Sequence, residues 1–171
     1  RLLDTAIVGR YKSSSLPWAS RIGSCVVTVP YMTHHLPRGP PKSRDIKVYF
    51  AGSLDVCCTG RRIRCAIAHL RNASDVLVRP TRRTRRISTS CSQTYSTSSN
   101  DFFSTNTTQD AKLMQRSVFC LAPAGDNCIS GRYYNAIAYG CIPVIICDTF
   151  SPAFPFIDFR AFSVMINQKA F

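Results

Sequence analysis

Short apolar runs alternate with helical periodicity through most of this chain, and that alternation leaves few folds open to it. Residues 46–51, Ile-Lys-Val-Tyr-Phe-Ala, form a compact strand-like run, after which Ile63, Ala66, Ile67 and Leu70 recur at the spacing of one helical face. Val76-Leu-Val78 is a second strand-like run. Strand, helix, strand in that order is a βαβ unit, for which parallel pairing with a right-handed crossover is the rule. The pattern then repeats. Leu113, Met114 and Val118 suit a short helix running into a strand over 118–122, and a loop follows over 123–129. A helix over 130–139 is stopped by Gly140, a strand covers 142–147, and 162–166 closes the series after a Pro/Phe-rich loop. The reading is an α/β fold, a Rossmann-like parallel sheet flanked by helices. In such sheets ligands sit at the carboxyl ends of the strands, so the loops after Ala51, Ala122 and Cys147 mark the edge where chemistry is expected.

The front of the chain reads differently. Residues 25–30, Cys-Val-Val-Thr-Val-Pro, form a β-branched run stopped by proline, and the prolines and glycine between 30 and 41 read as a linker between two units. This divides the chain into residues 1–43, the end of a preceding lobe plus linker, and residues 44–171, the Rossmann-like lobe. Within the second part, more than half of residues 81–108 are Ser or Thr and Ile87 is almost the sole aliphatic side chain, which predicts a flexible surface insertion without a core. The sequence opens on Arg1 and closes on Phe171, and reads as a segment of a longer polypeptide.

Composition narrows the class further. With 171 residues and 45% hydrophobic content the chain can bury one domain core. No run approaches the roughly 18–20 apolar residues of a membrane helix, so membrane attachment would require an anchor upstream of Arg1. Lys and Arg number 22 against 9 Asp and Glu, for a formal charge of +13, which favours phosphorylated or polyanionic partners. The excess is concentrated between Arg61 and Arg86, including the group Arg82-Arg83-x-Arg85-Arg86. Interleaved aromatic residues for base stacking are missing there apart from Tyr95, and a nucleic-acid partner is not expected.

The nine cysteines contain no C-x-x-C pair and have no histidines at zinc-finger spacing, so no structural zinc is predicted. Their odd number leaves at least one thiol unpaired within the segment, and Cys141 and Cys147, set in apolar strand context, read as small hydrophobes. Two sequons, Asn72-Ala-Ser74 and Asn106-Thr-Thr108, lean towards a secretory compartment. His34, His35 and His69 have no catalytic partner at useful spacing and read as linker or surface residues.

The segment that could carry chemistry is Ser130-Gly-Arg-Tyr-Tyr-Asn-Ala-Ile137, opening a helix after a loop that contains Gly125 and Asp126. Ser130 is a natural N-cap. The free N–H groups of a first helical turn, aided by the helix dipole, make an anion site. Arg132 offers a guanidinium fork for diphosphate oxygens and Asn135 an amide for hydroxyls. By composition and spacing alone, an ordinary capped helix with a solvated arginine is the better reading.

Five segments in order go further: Arg44-Asp-Ile-Lys-Val-Tyr-Phe-Ala-Gly-Ser53, Gly60-Arg-Arg-Ile-Arg64, Met114-Gln-Arg-Ser-Val-Phe-Cys-Leu-Ala-Pro-Ala-Gly-Asp126, Ser130-x-Arg-x-x-Asn-Ala-Ile137 and Gly140-Cys-Ile-Pro-Val-Ile-Ile-Cys-Asp148. Their order and spacing resemble the exostosin family of glycosyltransferases, over most of the chain except 81–108. The resemblance implies the C-terminal lobe of a two-Rossmann (GT-B) enzyme, its N-terminal lobe mostly absent from this sequence. Such an enzyme binds a nucleoside-diphosphate sugar, usually a UDP-sugar, and transfers the sugar with inversion to a glycan or polysaccharide acceptor, without a tightly held metal or other cofactor. It implies a lumenal Golgi location. Carried over by position, Arg132 would bind the diphosphate with Ser130 and neighbouring amides, residue 135 would approach the ribose, Gly52, Ser53, Arg64 and Gly125 would line the same edge, and Asp148 would approach the sugar. The family has an acidic residue where this chain has Asn135, and often a basic one where it has Gly131. No residue is assigned as the catalytic base, which the other lobe is expected to supply. Two alternatives stay open: a basic nucleic-acid- or glycan-binding module without catalysis, and an inactive truncated relative.

Overall fold

The computed structural model describes residues 39, 43–54, 56, 58–81, 107–126, 128–151, 153 and 156–170. The strand over 25–30, the linker, His34, His35, the Arg82 to Arg86 group and the interior of the Ser/Thr-rich segment lie outside them.

Five parallel strands form one sheet: β1 (Ile46–Ser53), β2 (Val76–Thr81), β3 (Ser117–Pro123), β4 (Ile142–Ile146) and β5 (Val164–Ile166), in the spatial order β2-β1-β3-β4-β5. Among the described residues three α-helices lie between them: α1 (Cys58–His69), α2 (Thr107–Gln115) and α3 (Gly131–Ala138). This is the parallel, helix-flanked, Rossmann-like sheet expected from the alternation. Strands covered on both faces read as nearly continuous apolar runs, as in Ile142-Pro-Val-Ile-Ile146.

Alternate residues of each strand feed opposite faces. Phe50, Val78, Leu121, Val144 and Ile146 pack with Ile63 and Ile67 of α1. Tyr49, Ala51 and Cys120 pack on the other face with Ala111 and Met114 of α2 and Ala136 of α3. Ala122, Ile145 and Cys147 pack with Tyr133 of α3. After β2 the chain crosses back over β1 to build β3, so the order reverses between β1 and β3, the position at which parallel α/β sheets open a ligand crevice. The registers Ser53↔Thr81 and Pro123↔Ile146 place the strand ends along one edge.

Three expectations change. β2 runs on through Arg79-Pro80 to Thr81, because an edge strand has an outer side on which the missing proline N–H costs nothing. Thr107 and Thr108 belong to α2, so the Ser/Thr-rich segment is ordered at both ends of 81–108. Cys141 and Cys147 are not simple apolar residues. Cys120 pairs with Cys141 and Cys128 with Cys147, with Cα separations of 5.8 and 5.6 Å, because strand pairing sets the start of β4 beside the middle of β3 and the loop before α3 returns to the end of β4.

Gly140 ends α3 as expected. Its φ of 73° is the left-handed conformation that favours glycine. The N–H groups of Gly140 and Cys141 donate to the carbonyls of Ile137 and Ala136 at 3.0 and 2.8 Å, closing the helix end.

Candidate functional site at the switch point

Arg64 crosses the gap between β1 and β3. It projects from α1 and is buried, and its Nε donates to the Ala124 carbonyl at 2.9 Å while Nη1 donates to the Ser53 carbonyl at 2.8 Å. Its guanidinium lies 5.9 Å from the centre of the Phe50 ring. A Cβ on Gly52 would stand 3.4 Å from Nη1 and 3.2 Å from the Phe50 ring, so a bare glycine leaves room for this arrangement. Arg64 is therefore not a solvated helix residue. It is a strut that joins the ends of the two strands flanking the crevice.

Gly60, one turn earlier on α1, comes closer still. A Cβ there would be 2.3 Å from the Gly125 carbonyl oxygen and 2.7 Å from that of Ala124. The first turn of α1 thus rests on the backbone of the loop after β3. That loop leads through half-buried Gly125 and exposed Asp126 to Ser130 and α3.

Ser130 occupies the N-cap position with extended backbone, φ −122° and ψ 154°, but its side chain makes no capping hydrogen bond. Its carbonyl accepts the Tyr133 N–H at 3.2 Å. The N–H groups that begin a helix have no intrahelical acceptor and point out of its start, here towards the strand-end edge. Arg132 lies in this first turn, half-buried, with no hydrogen bond or ion pair among the described residues. Desolvation by the surrounding protein lowers its pKa, opposed by the negative field of Asp110.

Arg64 is pushed down to about 10, first by burial and next by the positive charge of Arg132, with Asp126 acting the other way. Burial and the charge of Arg132 thus both disfavour the charged form of Arg64.

The start of α3 is held by an aromatic cluster. Tyr133 meets Tyr134, Phe150 and Phe159 edge-to-face, at centroid distances of 5.1, 4.8 and 5.5 Å. Tyr134 Oη accepts the Ala153 N–H at 3.1 Å. Burial pushes the Tyr133 phenol up to about 12.

The remaining expected site residues divide. Gly52, Ser53 and Gly125 sit at the crevice, with Ser53 contributing its carbonyl to Arg64. Asn135 lies one turn into α3 and is half-buried. Asp148 is at the same sheet edge beyond β4, exposed, and its Oδ1 accepts the Gln168 N–H at 2.9 Å. Gly60 was not expected among them, because a glycine in the first turn of a helix carries no signal of what approaches it in space. Tyr49 and Asp110 were not expected either. They are joined by a hydrogen bond of 2.9 Å across 61 residues of sequence.

Arg64 at the switch point and Arg132 at the start of α3 thus stand on the side of a parallel α/β lobe where such sheets bind their ligands. In comparison with known proteins, the exostosin GT47 domain model matches residues 4–171, and the chain belongs to that family. It is similar to the Arabidopsis thaliana protein named "Probable arabinosyltransferase ARAD1", 38% identical over 60 residues. It is also similar to the Oryza sativa protein named "Probable glucuronosyltransferase GUT1", 47% identical over 53 residues, and to the Arabidopsis "Probable beta-1,4-xylosyltransferase IRX10L", 45% over 53. These matches take in 34%, 29% and 29% of this chain and 13% of each relative, so the chain aligns with a small part of each of them.

Proposed function

We propose that this chain is the nucleotide-sugar-binding lobe of a two-lobed (GT-B) glycosyltransferase, which takes a UDP-sugar as donor and transfers the sugar to a glycan acceptor with inversion. The observation that carries the reading is Arg132: half-buried, desolvated, in the first turn of α3 and with no hydrogen bond or ion pair among the described residues. As the bond between sugar and diphosphate breaks, negative charge grows on the leaving group. Fixed N–H groups and a guanidinium aimed at that charge stabilise it without reorganising, which is the role a metal ion would otherwise fill. The acceptor hydroxyl needs a base, and this reading leaves that to the other lobe. The same reading puts the domain in the Golgi lumen behind an anchor upstream of Arg1, a setting in which disulfides such as Cys120–Cys141 persist.

Calorimetric titration with UDP tests the proposal. Saturable binding that Arg132→Ala weakens at least about tenfold, the worth of one charge-assisted bond, is the expected result. Binding of single-stranded RNA that collapses with salt and ignores Arg132, with no response to UDP, would replace this reading with that of a basic binding module.

A further inference from the structure

We propose that Asp110, held by the Tyr49 hydroxyl, is the counter-charge of the nucleotide site, standing behind Arg132 without pairing with it and so limiting how tightly a diphosphate is bound. The inference rests on the nucleotide-binding reading given above and adds a residue that neither the motif nor the helix start contains.

The placement comes from three elements. Arg132 and Ala136, four residues apart on α3, share a helix face. Ala136 is fully buried in one cluster with Tyr49 of β1 and Ala111 of α2. Asp110 precedes Ala111 in the first part of α2, and its Oδ1 accepts the Tyr49 O–H at 2.9 Å. The face of α3 that carries Arg132 is therefore the face turned towards the Tyr49–Asp110 pair. Arg79, buried on the neighbouring strand, donates to Gln109, the residue before Asp110 on α2, at 3.1 Å, so a second cation lies at the same end of that helix. The Tyr49 phenol is raised far above its ordinary value, first by burial and then by Asp110, with Arg79 and Arg132 opposing. Tyr49 thus feels all three charged groups.

An acid at this place has a definite effect. A carboxylate that formed an ion pair with Arg132 would occupy its donors, and the diphosphate would have to displace it. Anchored by Tyr49, Asp110 instead keeps the guanidinium charged and leaves its donors available. Its negative field also repels the incoming diphosphate, which trims affinity. A transferase must release its nucleoside diphosphate on every turnover, and release is often the slow step, so a site of two converging arginines benefits from such a restraint. The effect on a ligand scales with ligand charge.

The test uses Asp110→Asn, whose amide oxygen still accepts the Tyr49 O–H, and Tyr49→Phe, which releases the carboxylate, each checked for folding by thermal denaturation. Binding of UDP and UMP is measured by calorimetry at low and high salt, with Arg132→Ala as reference. The expected result is UDP binding by Asp110→Asn that is about tenfold tighter than wild type, a smaller gain for UMP, and weaker UDP binding by Tyr49→Phe. A residue that merely supports the fold would weaken binding of both nucleotides. Arg132-dependent UDP binding that Asp110→Asn leaves unchanged or weakens overturns the inference and leaves the nucleotide site standing. Absence of UDP binding in both wild type and Asp110→Asn overturns the two together.

Discussion

Replacing Gly60 by alanine puts the architecture of the crevice to a direct test, because the obstacle is backbone and cannot rotate away. The new Cβ would lie 2.3 Å from the Gly125 carbonyl oxygen, whereas ordinary contact begins at 3.4 Å, so α1 and the loop must separate by about 1.1 Å. Neither side yields easily. The loop is fastened by Arg64 Nε to the Ala124 carbonyl at 2.9 Å and by the Ala124 N–H to the Ile146 carbonyl at 3.2 Å. Forced overpacking of this kind costs about 1–3 kcal/mol, offset by up to about 1 kcal/mol from the better helix propensity of alanine. The net destabilisation of about 1–2 kcal/mol corresponds to a fall in Tm of about 2–8 °C for a domain of this size. The loop leads directly into α3, so a shift of about an ångström also displaces Arg132, and we expect the Kd for UDP to rise about tenfold or more. Circular dichroism melts and calorimetry on the same samples read both effects. A variant with an unchanged or higher Tm and an unchanged Kd would refute the close approach of α1 to the loop, and with it the account of how Arg132 is positioned.

Two further outcomes follow from the same geometry. Asn135→Asp is expected to tighten UDP binding several-fold, since a carboxylate accepts ribose hydroxyl bonds with charge assistance; the gain should shrink with 2′-deoxy-UDP, and an equal gain for both nucleotides would place residue 135 away from the ribose. At alkaline pH the tyrosines decide stability: Tyr133 is raised to about 12 when folded against 10 when unfolded, and Tyr134 and Tyr139 are raised too, so the unfolded chain ionises first. Their contribution is complete below pH 10 and is lost as the pH climbs towards 12, which denaturant midpoints followed beside phenolate absorbance will show; phenols that titrate near 10 in a still-folded protein would contradict it.

The fold was legible because strands buried on both faces announce themselves as apolar runs, and Ile46, Phe119 and Ile145 all stand in such runs. What local pattern concealed was set by tertiary placement. Arg79-Pro80 lies beyond the apolar run over 76–78, yet it continues an edge strand. Thr107 looks like part of a low-complexity tract, yet it begins a helix. At the site, Arg132 stood out through a helix start and a family resemblance. Arg64 could be placed at the correct edge but not recognised as a strut, since its acceptors lie 11 and 60 residues away. Ser130 fell at the N-cap as expected, while its hydroxyl took no part in capping. The pairing of Tyr49 with Asp110, and of each cysteine with its partner, depends on which strands and helices become neighbours, and spacing along the chain contains none of that.

The Cys128–Cys147 bridge bears on the thermodynamics of binding as well as on the fold. It joins the loop before α3 to the end of β4 across 19 residues, enclosing the whole of α3 and with it Arg132. Closing a ring of that length removes roughly 3 kcal/mol of chain entropy from the unfolded ensemble on the loop-closure model. In the folded lobe the same ring restricts how far the first turn of α3 can wander before a ligand arrives. On the proposed reading, the ordering that a mobile phosphate-binding loop would undergo on contact is completed during oxidative folding, and a nucleotide would meet donors already in place.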